Sequence, residues 1–127
     1  MEANSLIRNI LEIGIGLLFL IGAIFNSLYT FRHGDEFYGS FAENAILSPA
    51  RALVRNLVIP NARLFTILLI IFQLVVAFCI LSRGELVQPG LIAGAVFCFA
   101  AALVSNVGGA IANLVLAVVQ LVLALAR

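Results

Sequence analysis

Few side chains in this sequence could do chemistry, and their spacing narrows what that chemistry is. Glu12 stands four residues after Arg8, at the head of a long apolar run. A carboxylate there could bind a proton or a cation. It could instead be an interfacial acid, favoured by the positive end of a helix N-terminus. The second reading is the expectation, because a surface position leaves the carboxyl pKa ordinary. Glu12→Gln is then expected to leave folding near normal. Asn26, Gln73, Asn113 and Gln120 are amides inside apolar runs. Such groups either hydrogen-bond between helices, for ~0.6–2 kcal/mol each, or line a polar pocket. Asn26, Gln73 and Asn113 form the candidate pocket, with Asn26 and Asn113 expected to point inward, close to each other or to Gln73. His33, Asp35 and Glu36 are one histidine beside two carboxylates, which a hydrated loop explains better than a metal. Cys79 and Cys98 fall at different depths, and no Cys-x-x-Cys is present, so neither a disulfide nor thiol exchange is expected. The sequence holds no Ser/His/Asp set and no glycine-rich phosphate loop. No catalytic residue is assigned, and no cofactor is required.

The elements that must position these residues follow from composition. Of 127 residues, 64% are hydrophobic and only 10% charged, and mean hydropathy is +1.20. Soluble domains are about 45–50% apolar and about 25% charged. A chain this small could not bury so much apolar surface in water. A soluble enzyme and a disordered chain are therefore excluded. So is a nucleic-acid binder, because the net charge is +1 and the seven cations, all arginine, are scattered.

A helix needs ~20 apolar residues to cross a ~30 Å hydrocarbon core. Residues 13–31 and 64–81 are uncharged, and so are the 41 residues from 86 to 126. The last run, ~60 Å long as one helix, must fold back, and Ser105-Asn106-Val107-Gly108-Gly109 is its turn signal. The expected fold is all-α: a single domain, an integral membrane bundle of four transmembrane helices. The spans cover about 10–31, 62–82, 88–105 and 108–126. The first run is too long for a signal-peptide core and lacks a small-residue cleavage site. Arg32 and His33 suit a helix C-terminus with Gly34 at C′, Asn61 can cap the second span, and Pro89 fits the first turn of the third. Gly14, Gly16, Gly22, Gly90 and Gly94 are expected to allow close helix approach.

The first loop carries a further element over about 49–58. Ser48-Pro49 reads as an N-cap and an N1 proline, and Pro60 as a stop. Ala50, Leu53, Val54, Leu57 and Val58 share one helix face, with Arg51 and Arg55 away from it. The expectation is a short amphipathic helix flat on the interface, with Leu53, Val54, Leu57, Arg51 and Arg55 as its membrane-interface residues. Phe37, Tyr38 and Phe41 are aromatics suited to headgroup depth. Four spans put both termini and the Arg83 loop on one side. Arginine counts barely separate the sides: Arg8, Arg83 and Arg127 against Arg32, Arg51, Arg55 and Arg63.

The stretch Gly14-Ile-Gly16-Leu-Leu-Phe19-Leu-Ile-Gly22, preceded by Arg8, resembles the first helix of DoxX-like membrane proteins. The plan of four spans with a long first loop is similar too. Arg32 alone matches the basic residue often found after that family's first span. Gln73 stands nearest to the acid often seen in its second helix. The resemblance implies an accessory or structural subunit of a membrane complex, redox- or quinone-linked, in a prokaryotic inner membrane with cytoplasmic termini. The expected partners are membrane lipid and other transmembrane helices, in a larger complex or a homo-oligomer. The alternative is a small proton-coupled transporter, a homodimer with Glu12 as its coupling carboxylate. The 32-residue first loop and the lack of tryptophan count against it.

Overall fold

The fold is given by a computed structural model, which describes residues 2–30 and 32–127 and the side chains of all of these but residues 2–4 and 35. It is all-helical, with no strand among the described residues. Helix α1 (Glu2–Phe25) runs into a π-helical turn, Asn26–Thr30. Helix α2 (Gly34–Asn44) and helix α3 (Ser48–Leu53) form the first loop. A π-helical turn, Val54–Val58, and a 3-10 turn, Ile59–Asn61, join α3 to α4 (Ala62–Leu81). Helices α5 (Val87–Leu103) and α6 (Val107–Leu125) complete the chain. Three described segments are long and apolar enough to cross a membrane: Ser5–Thr30, Ser48–Leu81 and Val107–Leu125. Helix α5 is as apolar but has 17 residues, or ~25 Å.

Burial follows the helical period. Along α1 the buried positions are Glu12, Ile15, Phe19, Ala23, Asn26 and Thr30, three or four residues apart. On α4 they are Thr66, Gln73, Val76, Ala77 and Ile80. Helix α1 packs along α4 and α5 along α6, with α4 and α5 joining the pairs, while α1 and α6 barely touch. Glycines set the closest approaches. A Cβ on Gly16 would meet Leu81 at 2.8 Å, and one on Gly90 would meet the Cys79 Cβ at 2.8 Å. Gly14 has no such neighbour. The outward faces stay apolar, with Ile21, Leu68, Phe78, Val96, Ile111 and Val118 all exposed. Water does not tolerate so continuous an apolar surface on a small monomer.

Several sequence expectations change. Helix α1 begins at Glu2, not near residue 10, so Arg8 and Glu12 lie inside the helix and away from its N-terminus. Pro60 does not stop the first-loop helix expected over 49–58, because helical turns continue through it into α4. Its missing N–H is absorbed by the π and 3-10 turns around it, which let the axis continue. Asn61 does not cap α4; its Nδ2 donates back to the Leu57 carbonyl at 2.9 Å. Ser48 lies inside α3, and no side chain caps that helix. Gly34 starts α2 rather than ending α1, and no described glycine has positive φ. Gly34 serves instead as a close approach, since a Cβ there would meet the Ala62 Cβ at 3.1 Å.

Helices α2 and α3 make a roof over one end of the long helices. The apolar face expected on 49–58 splits. Ala50 and Val54 turn inward, Val54 joining Tyr38 and Ala42, while Leu53 and Leu57 remain about half exposed. Arg51 donates to the Ala45 carbonyl at 2.8 Å, and Arg55 approaches the Ala42 carbonyl at 3.4 Å. Both arginines thus meet carbonyls at the end of α2. The roof is pinned to the turn before α6 by Ile46 N–H donating to the Ser105 carbonyl at 3.1 Å. Asn106 caps α6, accepting from Gly109 N–H at 2.8 Å.

Candidate functional site

Two polar centres sit at opposite ends of the long helices. The first is an ionic clamp around Glu12, whose side chain is 0% exposed. Its Oε1 accepts from Arg83 Nη2 at 2.9 Å and Arg127 Nη2 at 2.8 Å, and its Oε2 accepts from Arg127 Nε at 2.8 Å. The Arg127 contact is the two-pronged guanidinium–carboxylate form. Arg83 Nη2 also donates to Asn9 Oδ1 at 2.6 Å. Arg83 has left-handed backbone, φ 63°, which costs ~1–2 kcal/mol for a residue with a Cβ. That conformation ends α4 and turns the guanidinium back onto α1. Accepting these hydrogen bonds, Glu12 pushes the Arg127 pKa further up. The clamp joins three segments far apart in sequence. It replaces the expected surface acid beside Arg8, because Glu12 shares the helix face of Ile15 and Phe19. That shared register was the available sequence signal.

The second centre is a chain of polar groups that begins in the π turn after α1. Thr30 Oγ1 donates to Asn26 Oδ1 at 2.7 Å, and Asn26 Nδ2 donates to Gln73 Oε1 at 2.7 Å. All three residues are buried. The bonds run in one direction, each acceptor's residue being the next donor, and such chains polarise one another. They end at Gln73 Nε2, which lies against Gly22; a Cβ on that glycine would approach it to 2.7 Å. Asn26 and Gln73 therefore meet as the sequence suggested. Asn113 does not join them. It is half-buried, and its Nδ2 donates to the Gly109 carbonyl of its own helix at 2.9 Å. It shares with Gln73 the wall of a cleft of about 270 Å³ between the α1/α4 and α5/α6 pairs.

Sequence reasoning gave too little weight to Gln120, which lines the same cleft and is 0% exposed. Its Nε2 donates to the Leu116 carbonyl at 3.1 Å and meets Cys98 Sγ at 3.3 Å, while its Oε1 is buried without a partner. The missing Cβ of Gly94 leaves room for that oxygen. Under the roof lies a second, more apolar cavity of about 580 Å³. Phe37, Tyr38, Leu53 and Val54 cover it, and Phe65, Leu69 and Ala101 form its floor. Phe97 and Asn113 line both spaces. Thr66 donates to the Ala62 carbonyl at 2.7 Å, so Tyr38 is the donor in its 2.9 Å contact with Thr66. Burial raises the Tyr38 pKa, only partly offset by that bond.

The remaining candidates are dispersed. The His33 ring lies 4.9 Å from that of Tyr29, and Glu36 faces the Tyr29 hydroxyl at 3.5 Å. The Asp35 side chain lies outside the described residues, among which no metal-ligand cluster occurs. Cys79 and Cys98 are both free. No family model, no curated protein and no solved structure matches this chain.

Proposed function

We propose that this chain is an integral membrane protein acting as an accessory or structural subunit of a membrane complex. Helices α1, α4, α5 and α6 are its four spans, and α2 with α3 lies at the interface. The observation that carries the reading is the clamp. Glu12 is the only acid within the three long apolar segments, and three hydrogen bonds from two arginines occupy it. A coupling carboxylate must be free to exchange its proton, and both oxygens of this one are taken by guanidinium donors. The clamp therefore weighs for a structural role and against the proton-coupled transporter. The apolar outward faces of all four helices supply surface for lipid and for neighbouring helices. In the four-span reading α5 crosses despite its length, because one of its ends lies by the clamp and the other by the roof.

A redox- or quinone-linked complex in a prokaryotic inner membrane is the setting that the DoxX-like resemblance of the Gly14–Gly22 stretch suggests. Purification in a mild detergent, followed by identification of co-purifying chains and cofactors, tests the proposal. A larger partner in fixed stoichiometry is expected. A lone homodimer carrying proton-driven flux that Glu12→Gln abolishes would overturn it.

A further inference from the structure

The two neighbouring cavities, which share Phe97 and Asn113 as wall, carry an inference beyond the accessory reading. We propose that they bind an uncharged single-chain amphiphile with a hydroxyl head, the head in the cleft and the chain under the roof. Two observations converge. Gln73 is 8% exposed, and its Oε1 is taken by Asn26 while its Nε2 has no partner among the described residues. In the same cleft the fully buried Gln120 has an acceptor, Oε1, that receives no hydrogen bond. An unmade hydrogen bond on a buried group costs ~1–3 kcal/mol, and the two glutamines that carry this donor and this acceptor line one cleft, so a group that both donates and accepts suits it once the Gln120 amide turns from Gly94. A hydroxyl accepts from Gln73 Nε2 and has a proton to give; a carbonyl can only accept.

Charge and shape settle the rest. No charged residue lines either cavity. A carboxylate or phosphate head would sit there without a counter-ion, which is prohibitive away from water. The roofed cavity, at about 580 Å³, falls in the ~300–1,000 Å³ range of small-molecule sites. Its walls are largely aromatic and aliphatic, and Phe97 and Asn113 are the wall it shares with the cleft, across which the chain and head would meet. Helices α1 and α6 both line the cleft and barely touch, and the chain would enter sideways between them.

The test uses the full chain in phosphatidylcholine nanodiscs with a diazirine-bearing sixteen-carbon alcohol as photoprobe. Cross-links are expected on the peptides around Leu69, Phe97 and Ala101. Unlabelled hexadecanol should compete; palmitate at pH 8 and hexadecane should not. The double variant Asn26→Leu with Gln73→Leu removes the amide pair together. It should lower specific labelling about tenfold, the factor that one ~1.4 kcal/mol interaction represents. Ala101→Trp fills the roofed cavity without touching the amides and should lower it similarly, so a misfolded double variant does not leave the site unprobed. Labelling spread over the exposed faces, unchanged in Ala101→Trp, or competed equally by palmitate would overturn the proposal. None of these results depends on a partner chain, so the site and the accessory role fail separately.

Discussion

At the scale of single residues, Glu12 and Gln73 show how a membrane-type core handles polar groups. Moving a carboxylate out of water costs several kcal/mol, and only close, well-aligned partners offset it. Glu12 has three such hydrogen bonds, so its removal should be felt. Glu12→Gln is expected to lower stability by ~1–3 kcal/mol. The smaller end of the range applies if Arg83 and Arg127, which are 29% and 22% exposed, turn to water. Thermal unfolding in nanodiscs measures this, and a midpoint equal to that of the parent chain would show that the clamp contributes nothing. The Asn26–Gln73 bond is a neutral pair in an apolar setting. A double-mutant cycle of Asn26→Leu and Gln73→Leu should give a coupling near 0.6 kcal/mol and not above ~1.7 kcal/mol. No coupling at all would mean that the two amides do not pair.

At the scale of elements, the roof is the part whose behaviour depends most on its joints. Tyr38 anchors α2 to Thr66 of α4. Tyr38→Phe should loosen α2 at a cost of ~0.5–1.5 kcal/mol. It should also speed hydrogen exchange over 34–44 more than over 87–103. Equal exchange in both segments would show that the hydroxyl is not the anchor. The raised Tyr38 pKa adds a pH dependence. The folded form prefers the neutral phenol, so its contribution is complete below the ordinary tyrosine value of about 10 and fades as pH rises through the folded value. On α3 and the π turn after it, Leu53 and Leu57 face outward while Arg55 is also exposed, on another side. Spin labels at 53 and 55 should separate by collision partner, oxygen at 53 and a water-soluble nickel chelate at 55. The same partner at both positions would refute an interfacial placement.

At the scale of the whole molecule, the two ends are chemically distinct, one closed by the ionic clamp and the other by the roof. Single cysteines at Glu85 and Asn44, in a chain with Cys79→Ala and Cys98→Ala, should react with a membrane-impermeant maleimide from opposite sides. Labelling from one side would break the four-span arrangement. Much of this plan was legible in the sequence, because bilayer thickness and the 3.6-residue period act on local composition. The apolar runs, the break at Asn106 and the amphipathic segment of the first loop all follow from counting. So did the inward placement of Asn26 beside Gln73, since amides in apolar runs must find partners, whereas Asn113, expected with them, found its partner in the Gly109 carbonyl of its own helix. Other features rest on contacts between residues far apart in the chain, and only the tertiary structure decided those. Arg127 lies 115 positions from Glu12, and Arg83 lies 71 positions from it. Local spacing could therefore suggest only Arg8, the neighbour one helical turn away. Pro60 shows the same limit. Its missing N–H argues locally for a stop, yet packing of Val54 against Tyr38 and Ala42 holds the chain helical through it, because tertiary contacts outweigh one lost hydrogen bond.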